Sequence, residues 1–302
     1  MPDFPVIDIH VHTYPDKRIG MQAKGGDVGP SGHAGTVEEL VPYMDDLGIS
    51  HAAMMNFTPV ADMVYAARAR LPEEMTPEER LEQEEPIRIR MVERVKQRNV
   101  WTCDVAKAHQ GLIAFIGVDT VMDGETMYSE VVDKANHGAK GIKIHPEVQR
   151  VSINDPLLWP AYRAAEELGM IVLSHAGPFG TTDGTYSHPS MAAEVLGDFP
   201  NLKLILAHLG GRTFYRAAVR LASAFPKLLF DCCGLVRPEQ GGLPNDELVG
   251  MFRELGVHRI LYGSDWASGD AAPDIQRLMT LPLSDEEKRM ILQRNAEILL
   301  EL

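Results

Sequence analysis

The chain has 302 residues, 45% of them hydrophobic, with 43 acidic against 29 basic side chains and a formal net charge of -14. A chain of that length and apolar content buries a substantial core, and its negative charge repels nucleic acid and anionic membrane surfaces, so neither is an expected partner. Cys232 and Cys233 are adjacent and Cys103 is remote, which makes no framework of paired spacings and points to a reducing compartment. Met1-Pro-Asp-Phe-Pro5 lacks the basic and apolar regions of a secretory leader, and no apolar run is long enough to span a bilayer, so the expected location is cytoplasmic.

The first apolar run, 6–12, reads Val6-Ile-Asp-Ile-His-Val-His12. Successive side chains of a strand point to opposite faces, which puts Asp8, His10 and His12 on one face and Ile7, Ile9 and Val11 on the other. A long Gly-rich loop without helical period follows over 13–35. The capping box Thr36-Val-Glu-Glu39 starts a helix ahead of a second apolar run at 52–57. From 58 to 110 the chain is rich in Glu and Arg and shows no further strand; with a proline-broken start at 71–77 it reads as two or three helices, the charged run 82–98 being a solvated face. Further apolar runs lie at 112–118, 141–145, 171–175, 204–208, 228–232 and 259–264. The helical stretch 156–169 ends in glycine just before the fifth of these eight runs, and a second capping box, Ser284-Asp-Glu-Glu287, opens a terminal helix. Strands alternating with helices imply a parallel sheet, and eight units imply a closed (β/α)8 TIM barrel. The expectation is one α/β domain over 1–302 with 58–110 as a helical insertion in its outer ring. The first loop is then a cover over the barrel mouth or a subunit contact in a homo-oligomer such as a dimer.

Polar residues stand where these runs stop. The fourth ends Lys143-Ile-His145, the fifth Leu173-Ser-His175, the sixth Leu206-Ala-His208 and the eighth Tyr262-Gly-Ser-Asp265. In such a barrel the carboxyl ends of all strands face one opening, so His10, His12, His145, His175, His208 and Asp265 are expected to crowd one rim. Partly buried, hydrogen-bonded histidines account for one or two of them but not for six at equivalent positions. Several imidazoles and a carboxylate suit a borderline divalent ion such as zinc, with a position left open for water.

Taken together, His10-Val-His12, Gly141-Ile-Lys-Ile-His-Pro146, Ser174-His-Ala-Gly177, Leu206-Ala-His-Leu-Gly-Gly211 and Leu261-Tyr-Gly-Ser-Asp-Trp266 resemble the amidohydrolase superfamily. More narrowly they resemble its amidohydrolase-related (amidohydrolase 2) branch, which contains aminocarboxymuconate semialdehyde decarboxylase, resorcylate-type decarboxylases and several lactone and amide hydrolases. The resemblance runs from Val6 to Asn295-Ala-Glu-Ile-Leu-Leu300. It implies that His10, His12 and His175 bind one divalent ion, zinc with manganese as the alternative, and that Asp265 is a fourth ligand or near neighbour. His208 would stand beside the activated water or the substrate. A carboxylate such as Asp265 is a natural proton shuttle at such an ion, and an imidazole such as His208 can polarise a carbonyl or stabilise developing negative charge.

Lys143 and His145 share a face of the fourth strand. In two-metal members of the superfamily a lysine here is carboxylated, whereas the branch resembled is usually mononuclear. Lys143 is therefore expected to pair with Asp8 or with a substrate carboxylate, and His145 to contact the substrate or support the ligands. Arg212, just after Gly210-Gly211, is placed to hold a carboxylate bidentately. Tyr14 and Trp266 stand where they would contact substrate, and Phe57, Tyr186 and His188 where they would line a pocket. Cys232 and Cys233 read as buried apolar side chains, and His33, His51, His109, His137 and His258 as surface histidines. The expected activity is metal-dependent hydrolysis of a C–O or C–N bond in a small ester, lactone or amide. One alternative is non-oxidative decarboxylation of an unsaturated or aromatic acid on the same metal; another is a metal-bearing binding protein without turnover. Hydrolysis is preferred because decarboxylases of this branch commonly carry an acidic residue in the first-strand signature, where this chain has His10-Val-His12.

Overall fold

The computed structural model describes residues 1–237 and 243–302. Eight strands, β1 (Val6–Val11), β2 (Ile49–Met55), β3 (Leu112–Gly117), β4 (Gly141–Ile144), β5 (Ile171–Ser174), β6 (Lys203–Leu206), β7 (Leu229–Asp231) and β8 (Ile260–Leu261), pair in parallel in that order. Helices fill the connections, as a parallel sheet requires. The last strand returns to the first: Ile9 N–H donates to the Tyr262 carbonyl at 3.0 Å and Asp265 N–H to the His10 carbonyl at 2.8 Å, and His12 N–H donates to the Trp266 carbonyl. The molecule is a (β/α)8 TIM barrel.

The apolar residues divide into two cores by strand phase. Ile7, Ile9, Ala53, Met55, Phe115, Leu173, Ile205 and Leu261 fill the barrel lumen. Their strand neighbours, such as Val6, Val11, Met54, Ile116, Ile142, Val172, Leu204 and Phe230, pack outward against the helices. Phe115 needs room in the lumen, and Gly141 provides it: a Cβ there would meet the Phe115 ring at 2.3 Å and the Ile171 carbonyl oxygen at 2.7 Å.

Two expectations are corrected here. The alternation of β1 breaks between Asp8 and Val11, where the pairing with β2 shifts register. Ile7 and Ile9 occupy the lumen, so strict alternation would turn His10 outward; the irregularity inserts an extra residue and turns it in, as β-bulges do. Asp8 therefore does not share a face with His10 and His12. It reaches toward the β8 end, its Oδ1 accepting from His10 N–H at 3.1 Å and Ser264 N–H at 3.0 Å. Secondly, the first loop contains a helix, Lys17–Ala23, whose cap Asp16 accepts from Ile19 N–H at 2.8 Å. It buries only Gly20, so it leaves no apolar period to read. The loop does lie over the barrel end: the Ser31 hydroxyl donates to the Ala267 carbonyl at 2.6 Å. The His33 ring packs 5.3 Å from Tyr43 and 5.6 Å from Trp266, so His33 is not a plain surface residue.

The stretch between β2 and β3 forms two helices, Val60–Arg68 and Pro77–Ala108. The second starts on a capping box of Thr76 and Glu79, and both expected boxes, at Thr36 and Ser284, are present too. Asn99 fastens the long helix to the barrel. Its Nδ2 donates to the Gly117 carbonyl at 2.9 Å and to Glu130 at 3.0 Å, and its Oδ1 accepts from Gly117 N–H at 2.8 Å. Replacing it strands three buried partners, so Asn99→Ala is expected to cost about 3 kcal/mol; a urea midpoint unchanged from wild type would contradict this. No described helix is long and apolar enough to cross a membrane.

Candidate metal centre

At the carboxyl ends of the strands the imidazoles form a ring. The ring centroids of His12 and His10 lie 5.1 Å apart, His10 and His208 6.0 Å, His208 and His175 4.7 Å, and His175 and His145 4.2 Å, the last pair stacked within 9°. Phe57 closes the circuit, 5.2 Å from His145 and 5.6 Å from His12. Asp265 leans in from the turn after β8, its Oδ1 3.1 Å from His12 Nε2 and 3.9 Å from His10 Nε2. His10, His12 and Asp265 thus bring their ligand atoms together in one group. Asp265 and His208 both adopt left-handed backbone, φ 58° and 57°, at a cost on the order of 1–2 kcal/mol each.

The outer nitrogens of His10, His12, His175 and His208 are committed. His12 Nδ1 donates to the Met55 carbonyl at 3.0 Å, His175 Nε2 to the Gly177 carbonyl at 3.0 Å, and His208 Nδ1 to the Cys233 carbonyl at 3.0 Å. A carbonyl only accepts, so each of these nitrogens carries a hydrogen. His10 Nδ1 donates to Asp231 Oδ2 at 2.8 Å. Burial alone would raise the Asp231 carboxyl, but His10 and its other donors hold it well below the usual carboxylate range, so it too is an acceptor only. Each ring consequently turns the lone pair of its other nitrogen inward. This arrangement, in which an oxygen acceptor behind the ring fixes tautomer and direction, is how proteins present imidazole to a metal.

The electrostatics agree. Burial, then the Lys143 charge, lowers His10 from 6.5 to about 4, and burial pushes His145 and His175 well below the ordinary imidazole value. Burial would raise Asp265, but His12 beside it and the surrounding imidazoles hold it well below the usual carboxylate range. His175 Nδ1 and His208 Nε2 face one another at 3.0 Å, a contact that holds only with a proton or cation shared between two lone pairs. The donor set, neutral imidazole nitrogens and one carboxylate, therefore fits a divalent transition ion.

Lys143 is buried as expected, but its partner is not Asp8. Its Nζ lies 3.1 Å from His10 Nε2, because the bulge has carried Asp8 away. Burial lowers its pKa. His145 keeps a buried Nδ1 with no hydrogen-bond partner, and its ring contacts the half-exposed Phe179 at 4.6 Å. Trp266 is fully buried beneath the first loop, stacked 5.9 Å from Tyr43, and Arg212 is exposed on the turn after His208. Tyr14 lies 5.5 Å below the Arg98 guanidinium, and burial pushes its hydroxyl up to about 12. Arg98, read from sequence as part of a solvated face, turns inward instead: Nη2 donates to the Thr13 carbonyl at 2.6 Å and Nε to Asn56 Oδ1 at 3.1 Å.

Sequence reasoning passed over Asp231; it read Cys233 as a buried apolar side chain, and the thiol is buried, but beside the imidazoles. Cys233 Sγ lies 3.1 Å from His208 Nδ1 and 3.4 Å from His10 Nδ1, and burial keeps it a thiol. Asp231 closes β7 as histidines close the neighbouring runs, and that position was the available signal.

A (β/α)8 barrel whose carboxyl-end rim carries inward-facing imidazoles and a carboxylate belongs to the class of metal-dependent TIM-barrel enzymes. The sequence profile of the amidohydrolase family matches residues 7–302, and the chain is a member of that family. No curated protein matches the chain. Among solved structures, an uncharacterised TIM-barrel protein from Bordetella bronchiseptica superposes with a TM-score of 0.74 at 18% identity, over 99% of each chain. A dihydroxybenzoic acid decarboxylase from Polaromonas, solved with bound manganese and an inhibitor, superposes at 0.69 and 16% identity, over 99% of this chain and 97% of that one. A probable 2-pyrone-4,6-dicarboxylic acid hydrolase from Acinetobacter baumannii gives 0.59 and 15%, over 99% of this chain and all of the other. At these identities the likeness is one of fold.

Proposed function

We propose that the protein is a metal-dependent hydrolase that cleaves a C–O or C–N bond of a small ester, lactone or amide. The observation that carries this is the set of inward-facing imidazole lone pairs beside an ionised Asp265. His10, His12 and Asp265 would hold one ion, zinc or alternatively manganese, with His175 the fourth candidate once its Nδ1 turns from His208. Such an ion supplies Lewis acidity toward a carbonyl and an acidified water. Asp265 would then act as the base that accepts a proton and returns it to the leaving group. His208, its Nδ1 bonded to the Cys233 carbonyl, stands beside the ligand group where it can polarise a carbonyl or stabilise developing negative charge. His145, with its unpartnered Nδ1, and Phe57 and Phe179 contact the substrate. Lys143 keeps His10 Nε2 hydrogen-bonded until an ion takes its place. Three free, buried cysteines suit a reducing, cytoplasmic setting, and the first loop remains the segment proposed for a dimer contact.

Decarboxylation of an unsaturated or aromatic acid is the second reading, favoured by the decarboxylases among the similar folds. It needs a cation for the substrate carboxylate, and Lys143, whose Nζ lies 3.1 Å from His10 Nε2, is the candidate inside the imidazole ring. A panel of lactones, esters, amides and aromatic acids, assayed with zinc and with manganese, separates the two. Carbon dioxide release without hydrolysis would overturn the first reading. In the same assay His208→Asn is expected to reduce turnover about 100-fold with metal content unchanged; loss of the metal would make His208 a ligand instead.

A further inference from the structure

Asp231 is buried at the end of β7, and its two oxygens do different things. Oδ1 accepts from two backbone groups, His208 N–H at 2.9 Å and Cys233 N–H at 3.2 Å. Oδ2 accepts from the imidazole of His10 at 2.8 Å. We infer that Asp231 is a positioning residue that sets the tautomer of His10, and that the same carboxylate holds the left-handed backbone of His208 at the end of the neighbouring strand. One group thereby determines both which nitrogen β1 offers to an ion and where the β6 imidazole stands. The consequence for ion binding rests on the proposed metal site; the tautomer of His10 and the anchoring of His208 do not.

The two backbone donors make the inference testable. In Asp231→Asn the side-chain amide has the size of the carboxylate but only one acceptor. Its oxygen belongs on the Oδ1 side, because turning the amide over would set its N–H group against two backbone N–H groups at once. The amide nitrogen must then face His10 as a donor. His10 Nδ1 can meet it only as an acceptor, so the ring hydrogen moves to Nε2, closes the lone pair that faces the ligand group and displaces the Lys143 ammonium that donates there at 3.1 Å. His208 N–H and Cys233 N–H keep their acceptor, so the β6 turn is retained.

Nitrogen-15 NMR of the metal-free protein reads the tautomer directly. The expected result is hydrogen on Nδ1 of His10 in the wild type and on Nε2 in Asp231→Asn. Zinc affinity measured by chelator competition should fall about 10- to 100-fold in the variant. A role limited to packing would lower the melting temperature and leave the tautomer unchanged, and that result overturns the inference. So does an Nε2 hydrogen on His10 in the wild type, which decides the matter even if the variant does not fold. If the wild type takes up no zinc while the tautomer switches, the metal reading fails and the role of Asp231 in setting His10 stands.

Discussion

Asp265→Asn is expected to lower turnover by about three orders of magnitude in a protein that remains folded. The amide keeps the volume of the carboxylate and can still meet His12 at the 3.1 Å contact now made by Oδ1. It cannot take a proton, and no other carboxylate stands in the ligand group with His10 and His12. The pH dependence has a definite sign. Burial opposes the charge on Asp265, yet His12 and the nearby imidazoles hold its pKa well below the ordinary 3.8. A carboxyl depressed on folding keeps its charge as pH falls through its ordinary value, and gives up its contribution only below the folded pKa. Asp265 therefore remains a competent base throughout the mildly acid range, and an acid limb near pH 5 or 6 belongs to another group. The check is turnover with metal content measured on the same samples. A fully active, metal-loaded Asp265→Asn enzyme would remove the proton shuttle and with it the hydrolytic mechanism.

Removing His10 and His12 together should take the bound ion from about one per chain to none, as elemental analysis of the purified protein will show. Unchanged metal content would mean that the histidine pair serves packing alone. From the sequence this double alanine variant is expected to fold with little loss; the structure assigns it a penalty. His10 is 1% exposed and is the partner of Asp231 Oδ2, so its removal leaves half of a buried carboxylate without a donor. That costs about 3–5 kcal/mol. The penalty shrinks in acid. His10 has its pKa lowered from 6.5 to about 4, so the unfolded chain takes up this proton first. Its contribution to stability is present above 6.5 and is lost as pH falls toward 4, a change of about 3 kcal/mol. Denaturation midpoints of wild type and variant should accordingly converge between those limits, and parallel curves would contradict the assignment.

The strand and helix order was legible because β-branched runs stop at fixed punctuation, and the ligand candidates because a barrel gathers strand ends. His10, His12, His208 and Asp265 stand at the mouth for that reason. What was not legible depends on contacts between distant segments. A bulge is a mismatch in pairing between β1 and β2, and nothing local to Val6-Ile-Asp-Ile-His10 announces it. Asp231 acquires meaning only once its carboxylate meets His10 of β1 and the backbone that follows β6. Arg98 sits in a run of charged residues that does face solvent along most of its length, and only the fold brings the Thr13 carbonyl to its guanidinium. The Lys17–Ala23 helix escaped because a seven-residue helix burying one glycine has no periodic signature.

The bonds that join β8 to β1 come from Ile9, His10, His12, Tyr262, Asp265 and Trp266. Half of these are the metal-group residues themselves, so the seam of the barrel passes through the site. The group holding His10, His12 and Asp265 therefore unites the amino-terminal strand with a turn more than 250 residues downstream in the chain. Such a contact closes a loop of more than 250 residues and carries a correspondingly large loop-closure entropy. Neither an emerging nascent chain nor a partly refolded one can assemble the site before its last strand is in place. The ligand group thus forms only with the completed ring, and a barrel left open at its seam lacks it.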